Sequence, residues 1–124
     1  MIPRNVHGVL DYIVGLLLIA APWVFGFADG TAAQHVPVAL GVGALLYSLL
    51  TTYELGLIRV IPFSAHLMLD FASGVFLAAS PWLLGFADRV YLPHVILGLL
   101  EIGAAAMTRR DAAPAQARAD GATS

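Results

Sequence analysis

Apolar residues are gathered in four long blocks, roughly 6–27, 35–53, 65–86 and 91–108, each close to the ~20 residues that a bilayer-spanning helix requires. The stretches between them, 28–34, 54–64 and 87–90, are too short to hold a second folded unit. Within the blocks the polar interruptions are few: His7 and Asp11 in the first, His66 and Asp70 in the third, and Glu101 in the fourth. The pattern predicts an all-α integral membrane four-helix bundle over residues 1–108.

Composition agrees with that reading. Of 124 residues 60% are hydrophobic and 11% charged, with a mean hydropathy of +0.85, whereas a soluble domain carries about 25% charged residues. Six arginines, no lysine and eight acidic residues give a net charge of -2, far from the basic footprint of a nucleic-acid binder. Zero cysteines exclude disulfides, thiolate metal sites and cysteine nucleophiles. The first block is not read as a cleaved signal: His7 and Asp11 interrupt it, it exceeds the ~7–15 apolar residues of a signal, and a near copy recurs mid-chain. Arg4, Arg59, Arg109, Arg110 and Arg118 fall on one side of the four spans and only Arg89 on the other, which predicts cytoplasmic termini. The segment 109–124, rich in alanine and without apolar periodicity, is expected to be a disordered cytoplasmic tail.

The chain also repeats itself. Residues 2–29 align without a gap on 61–88, an offset of 59, and 14 of the 28 positions are identical. The matches include Pro3 and Pro62, His7 and His66, Asp11 and Asp70, Gly15 and Gly74, Pro22-Trp23 and Pro81-Trp82, and Gly-Phe-Ala-Asp ending at Asp29 and Asp88. At the same offset His35 meets His94, so the repeat is expected to extend through the second helix of each half, about 2–53 and 61–108. Each half holds an even number of spans, which places their pseudo-twofold axis along the membrane normal. The run Ser80-Pro81-Trp82-Leu83-Leu84-Gly85-Phe86, with the upstream His66 and Asp70, resembles the SPW repeat family of small bacterial integral membrane proteins; the first half has Ala21 in place of the serine. The resemblance covers all but the tail, and it implies a fold and a bacterial inner membrane but no catalytic residue.

Several positions carry candidate chemistry. His7 and Asp11 are four residues apart and share a helix face that Gly15 extends; His66, Asp70 and Gly74 repeat the arrangement. A glycine on that face admits a second backbone, so both faces are expected to point into the bundle. Three uses fit the four residues. Each aspartate accepts from its own histidine or from the other half and ties the halves together; or the four form a two-histidine, two-carboxylate site for Zn, Mn or Fe; or they relay protons or ions. Glu101, opposite Val42 at the offset of 59, lies near the bilayer centre and needs a proton or a partner, with Tyr47, Ser73 and Tyr12 as candidates. Pro22, Trp23, Pro81 and Trp82 read as helix terminators and interfacial anchors. Asp29, His35, Asp88 and His94 form an outer-side polar group, the histidines being read as hydrated helix starts in preference to paired haem ligands. Ala39, Gly41, Gly43 and Ala44 in the second block, and Gly98, Gly103, Ala104 and Ala105 in the fourth, suit close helix packing within the bundle or against a second copy.

No nucleophile with a base, no phosphate-cradling loop and no cofactor fingerprint appears in the sequence. The leading expectation is therefore a non-enzymatic membrane protein, structural or accessory to a membrane complex, whose partners are the lipid bilayer and either its own copy or another membrane protein. A small transporter or channel subunit using Glu101 and the His-Asp pairs comes next, and a metal- or haem-binding redox protein third.

Overall fold

A computed structural model describes residues 2–51, 56–58 and 60–108. Four helices follow one another: α1 (Arg4–Val24), α2 (Ala32–Leu49), α3 (Phe63–Leu83) and α4 (Leu92–Met107). Glu54, Arg59 and the expected tail 109–124 lie outside the described residues.

The first and third helices start and stop for the same reasons. Extended Pro3 and Pro62 lead in, and their carbonyls accept the first intrahelical bonds, from His7 N and His66 N at 3.0 Å each. Pro22 and Pro81 are accommodated near the far end. Just beyond, Gly26 and Gly85 adopt φ +76° and +75°, a region that L side chains rarely enter. The chain turns back there, with Phe27 N donating to Pro22 O at 2.7 Å and Phe86 N to Pro81 O at 2.8 Å. Both helices thus end three residues before the apolar blocks did, and the two phenylalanines fold inward to 6% and 1% exposure. Gly26→Ala and Gly85→Ala are each expected to cost about 1–2 kcal/mol through the strain of a Cβ in the left-handed region, measured by reversible unfolding in detergent.

Three of the four helices are long and apolar enough to cross a membrane. The fourth expected span is shorter: α4 has 16 residues, about 24 Å of rise against a hydrocarbon core of about 30 Å. Its early end follows from Thr108, which leaves the helix for an extended conformation beside Ile2. Ile2 N donates to Met107 O at 2.8 Å, so α4 nevertheless returns to the level at which α1 begins. Thr51 and Ile61 make the corresponding pairing between the two halves.

The helices pack as two hairpins, α1 on α2 and α3 on α4, with the hairpins meeting through lighter α2·α3 and α1·α4 contacts. Glycines set both close crossings. A Cβ on Gly41 would stand 2.7 Å from Gly15 O, and one on Gly98 would stand 2.7 Å from Gly74 O. The repeat accordingly holds, but with a slip. Gly15 and Gly74 differ by 59, whereas their partners Gly41 and Gly98 differ by 57, and the buried positions of α2 and α4 follow the smaller offset: Pro37 with His94, Ala44 with Glu101, Ser48 with Ala105, Thr51 with Thr108. The second hairpin reaches the equivalent point of its returning helix two residues sooner. Two expectations are corrected by this. His35 and His94 are not equivalent in space, and the counterpart of Glu101 is buried Ala44 and not exposed Val42.

The polarity of the bundle is that of a protein in lipid. Ile13, Leu16, Leu46, Met68, Ile96 and Leu99 are all more than half exposed, while His7, His66, Asp70 and Glu101 are buried. Large apolar side chains are exposed on all four helices, and with three membrane-length apolar helices this is a multi-pass membrane protein.

Candidate functional site

The i, i+4 spacing on α1 and α3 brings four ionisable side chains to one point between the hairpins. His7 Nε2 lies 2.7 Å from Asp70 Oδ2 and 3.0 Å from Asp11 Oδ1; His66 Nε2 lies 2.7 Å from Asp11 Oδ2 and 3.1 Å from Asp70 Oδ2. Each histidine therefore meets the aspartate of its own helix and, at shorter range, the aspartate of the other half. Both bonding schemes weighed for the aspartates occur together. His7 is 1% exposed, His66 0% and Asp70 5%.

The far nitrogens are held just as closely. His7 Nδ1 is 2.8 Å from Thr108 Oγ1 and His66 Nδ1 is 2.7 Å from Thr51 Oγ1. Each threonine hydroxyl donates its single proton to the carbonyl one turn back, Ala104 O for Thr108 and Tyr47 O for Thr51. The hydroxyl oxygens can then only accept, so both histidines carry a proton on Nδ1. Each Nε2 meets carboxylate oxygens, so one further proton is shared between each imidazole and the aspartates. With one such proton for each imidazole and its aspartate the quartet is neutral as a set, which is what permits burial in a low-dielectric interior. Asp70 spends its remaining oxygen on the Tyr47 hydroxyl. The position of Tyr47 in the second half is taken by alanine at either offset, so the phenol on Asp70 is not repeated by the sequence and the site is only quasi-symmetric.

Beside this quartet lies a cavity of about 40 Å³ lined by His7, Asp11, Tyr47, Asp70 and Glu101 among others. A water needs roughly 10–15 Å³ measured in this way, so the space admits more than one. Glu101 is 9% exposed; Ser73 hydrogen-bonds its carboxyl, and Oε2 has no protein partner. Of the candidate partners for Glu101, Ser73 reaches it, while Tyr47 donates to Asp70 instead.

At the opposite end of the bundle the outer polar group divides. His35 is exposed, 3.1 Å from Gly30 O through Nε2. His94, read from sequence as a hydrated helix start, is buried instead. It is held between Phe27 and Phe86, with ring centroids 4.9 and 4.8 Å away, and Nε2 donates to Ala33 O at 2.8 Å. The two histidines therefore do not face each other across a haem slot. The cause is the two-residue slip, which turns His94 to the inward position that Pro37 holds in the first half. Asp29 accepts from the Thr31 hydroxyl at 2.6 Å and the Thr31 amide at 3.0 Å, and Thr31 in turn caps α2. These bonds, aided by Arg89, hold the Asp29 carboxyl below the usual carboxylate range. Asp88 is exposed.

Trp23 and Trp82 both point outward at 60% exposure, while Pro22 and Pro81 are buried. Sequence reading attached no role to Ser80, yet its place before proline was the signal. Pro81 has no N–H for the carbonyl of Leu77, and the Ser80 hydroxyl takes that carbonyl at 2.7 Å. Ala21 cannot do the same in the first half. Thr51 and Thr108 were also missed, because they coincide only at the offset of 57.

A search of curated proteins and a search of solved structures returned no match to this chain. The SPW repeat domain, in contrast, matches residues 5–108, which takes in all four helices, both glycine crossings and the whole His-Asp quartet. The Ser-Pro-Trp run with its proline-orphaned carbonyl, the tandem hairpins and this match agree, and the chain belongs to the SPW repeat family.

Proposed function

We propose that this chain is a non-enzymatic protein of the bacterial plasma membrane, with both termini cytoplasmic, in which the buried quartet fastens two helical hairpins into one structural or accessory unit of a membrane complex. The observation that carries the fastening role is the crossed bonding: the two shortest imidazole–carboxylate contacts, both 2.7 Å, join residues of opposite halves. Cytoplasmic termini are supported by the bias of arginines to that side. A partner face is supported by Ala39 and Gly43, four residues apart on α2, where a Cβ added to Gly43 would meet nothing within 4 Å. Such small-residue pairs admit a second helix, from another copy or another membrane protein.

A second reading, a proton or cation relay in a small transporter subunit, is favoured by one observation: the unpartnered Oε2 of Glu101 beside the cavity. A bundle of this size leaves little room for an internal pore, so transport would call for an oligomer. The two readings part in proteoliposomes containing the purified protein. The accessory role predicts proton and cation flux at the level of empty vesicles, unchanged by Glu101→Gln. Flux above that level that Glu101→Gln abolishes would replace the first reading with the second.

A further inference from the structure

We infer that the quartet binds one divalent transition-metal ion, zinc above all, through His7 Nε2, His66 Nε2 and one oxygen each of Asp11 and Asp70. The inference deepens the fastening role proposed above, since such an ion would staple the same two hairpins.

Four features carry it. The four ligand atoms lie within 4.8 Å of one another. Tetrahedral zinc with bonds of about 2.0–2.1 Å keeps its ligands about 3.3 Å apart; the present N···O contacts of 2.7 to 3.1 Å would open by a few tenths of an ångström, and the widest pair of ligand atoms, within 4.8 Å, would close toward that spacing. Loss of the shared Nε2 proton leaves each imidazole in the tautomer a metal requires. Thr51 and Thr108 hold the proton on Nδ1 and leave Nε2 aimed at the centre, as the outer hydrogen-bond partners of metal-binding histidines do. Charge is the third feature: two carboxylates and one divalent ion sum to zero, and the ion takes the place of the two bridging protons. Finally, the adjoining cavity, largely apolar in its lining but bordered by Asp11, Asp70 and the unpartnered Oε2 of Glu101, offers an opening beside the four ligands. Two imidazoles favour zinc and its first-row neighbours over magnesium or calcium, which prefer all-oxygen shells of six or more ligands.

The test uses the tag-free full chain in detergent, dialysed against a mild chelator and then titrated with Zn²⁺, or with Co²⁺ as an optical probe. The expected result is one zinc per chain by elemental analysis, the visible absorption of four-coordinate Co²⁺, and a rise in unfolding temperature on adding zinc. His66→Gln and Asp11→Asn should lose the ion while keeping helical circular dichroism, and Thr108→Val should weaken binding about 10- to 100-fold by freeing the Nδ1 proton. Zinc absent from the wild-type protein, no thermal shift on adding it, or equal retention by His66→Gln and Asp11→Asn would each overturn the site. The fastening role is read separately, from the unfolding of metal-free wild type and His66→Gln, so the two ideas fail independently.

Discussion

His66→Ala is expected to lower the unfolding free energy in detergent by about 3–5 kcal/mol, the usual cost of removing one member of a buried ion pair. An ordinary interhelical hydrogen bond in a membrane protein is worth only about 0.6 kcal/mol. The larger figure applies because His66 is not one bond among many. It stands between Asp11 and Asp70 at 2.7 and 3.1 Å and is 0% exposed. Its loss leaves the two aspartates sharing one imidazole and removes the donor on the accepting side of the Thr51 hydroxyl. His7→Ala should behave alike, since His7 has the same surroundings through Thr108. A loss of 1 kcal/mol or less in either variant would mean that the quartet does not hold the halves together.

The second large effect concerns close packing. Gly98→Ala is expected to destabilise the protein by about 3 kcal/mol, the upper part of the range for overpacked sites. Its new Cβ would meet Ala78 N at 2.6 Å and Gly74 O at 2.7 Å, both backbone atoms of α3 that no side-chain rotation can move. The hairpin must open to admit it. Gly103→Ala, on the same helix, provides the comparison: nothing lies within 4 Å of its Cβ, and the change should be neutral or stabilise by up to about 1 kcal/mol through helix propensity. Gly15→Ala should fall between them, because its nearest neighbour, at 2.8 Å, is the flexible end of Leu45. Equal stability of Gly98→Ala and Gly103→Ala would show that the crossing is looser than the structure has it.

The same residues mark how far the site was legible. His7 and Asp11 announce themselves as polar residues one turn apart in an apolar block, and their copies at His66 and Asp70 mark two matching faces. Nothing local, however, distinguishes a pair that bonds within its helix from one that bonds across the bundle. Thr51 and Thr108 were hidden for a related reason. They are equivalent at an offset of 57, and an alignment anchored on the well-matched first helices carries 59 into the second, where helix-to-helix contact sets the register. The error that made His94 a surface residue has this origin, as has the pairing of Glu101 with Val42. The ends of α1 and α3 were misjudged differently, since apolar Phe27 and Phe86 continue the hydrophobic run although Gly26 and Gly85 have already broken the helix.

By itself the sequence determined that the chain is helical and lipid-embedded, that it consists of two related hairpins, and that His7, Asp11, His66, Asp70 and Glu101 face the bundle. Those properties follow from hydropathy, periodicity and self-similarity, which are local or compare one segment with another. Only the tertiary structure decided that four of these residues form one neutral cluster, that two threonines set its protons, that α4 is short, and that His94 is enclosed by two phenylalanines. Each depends on atoms brought together from residues as far apart as His7 and Thr108. Their meeting is governed by how closely Gly15, Gly41, Gly74 and Gly98 let the backbones approach, and a pattern read along one helix does not contain that distance.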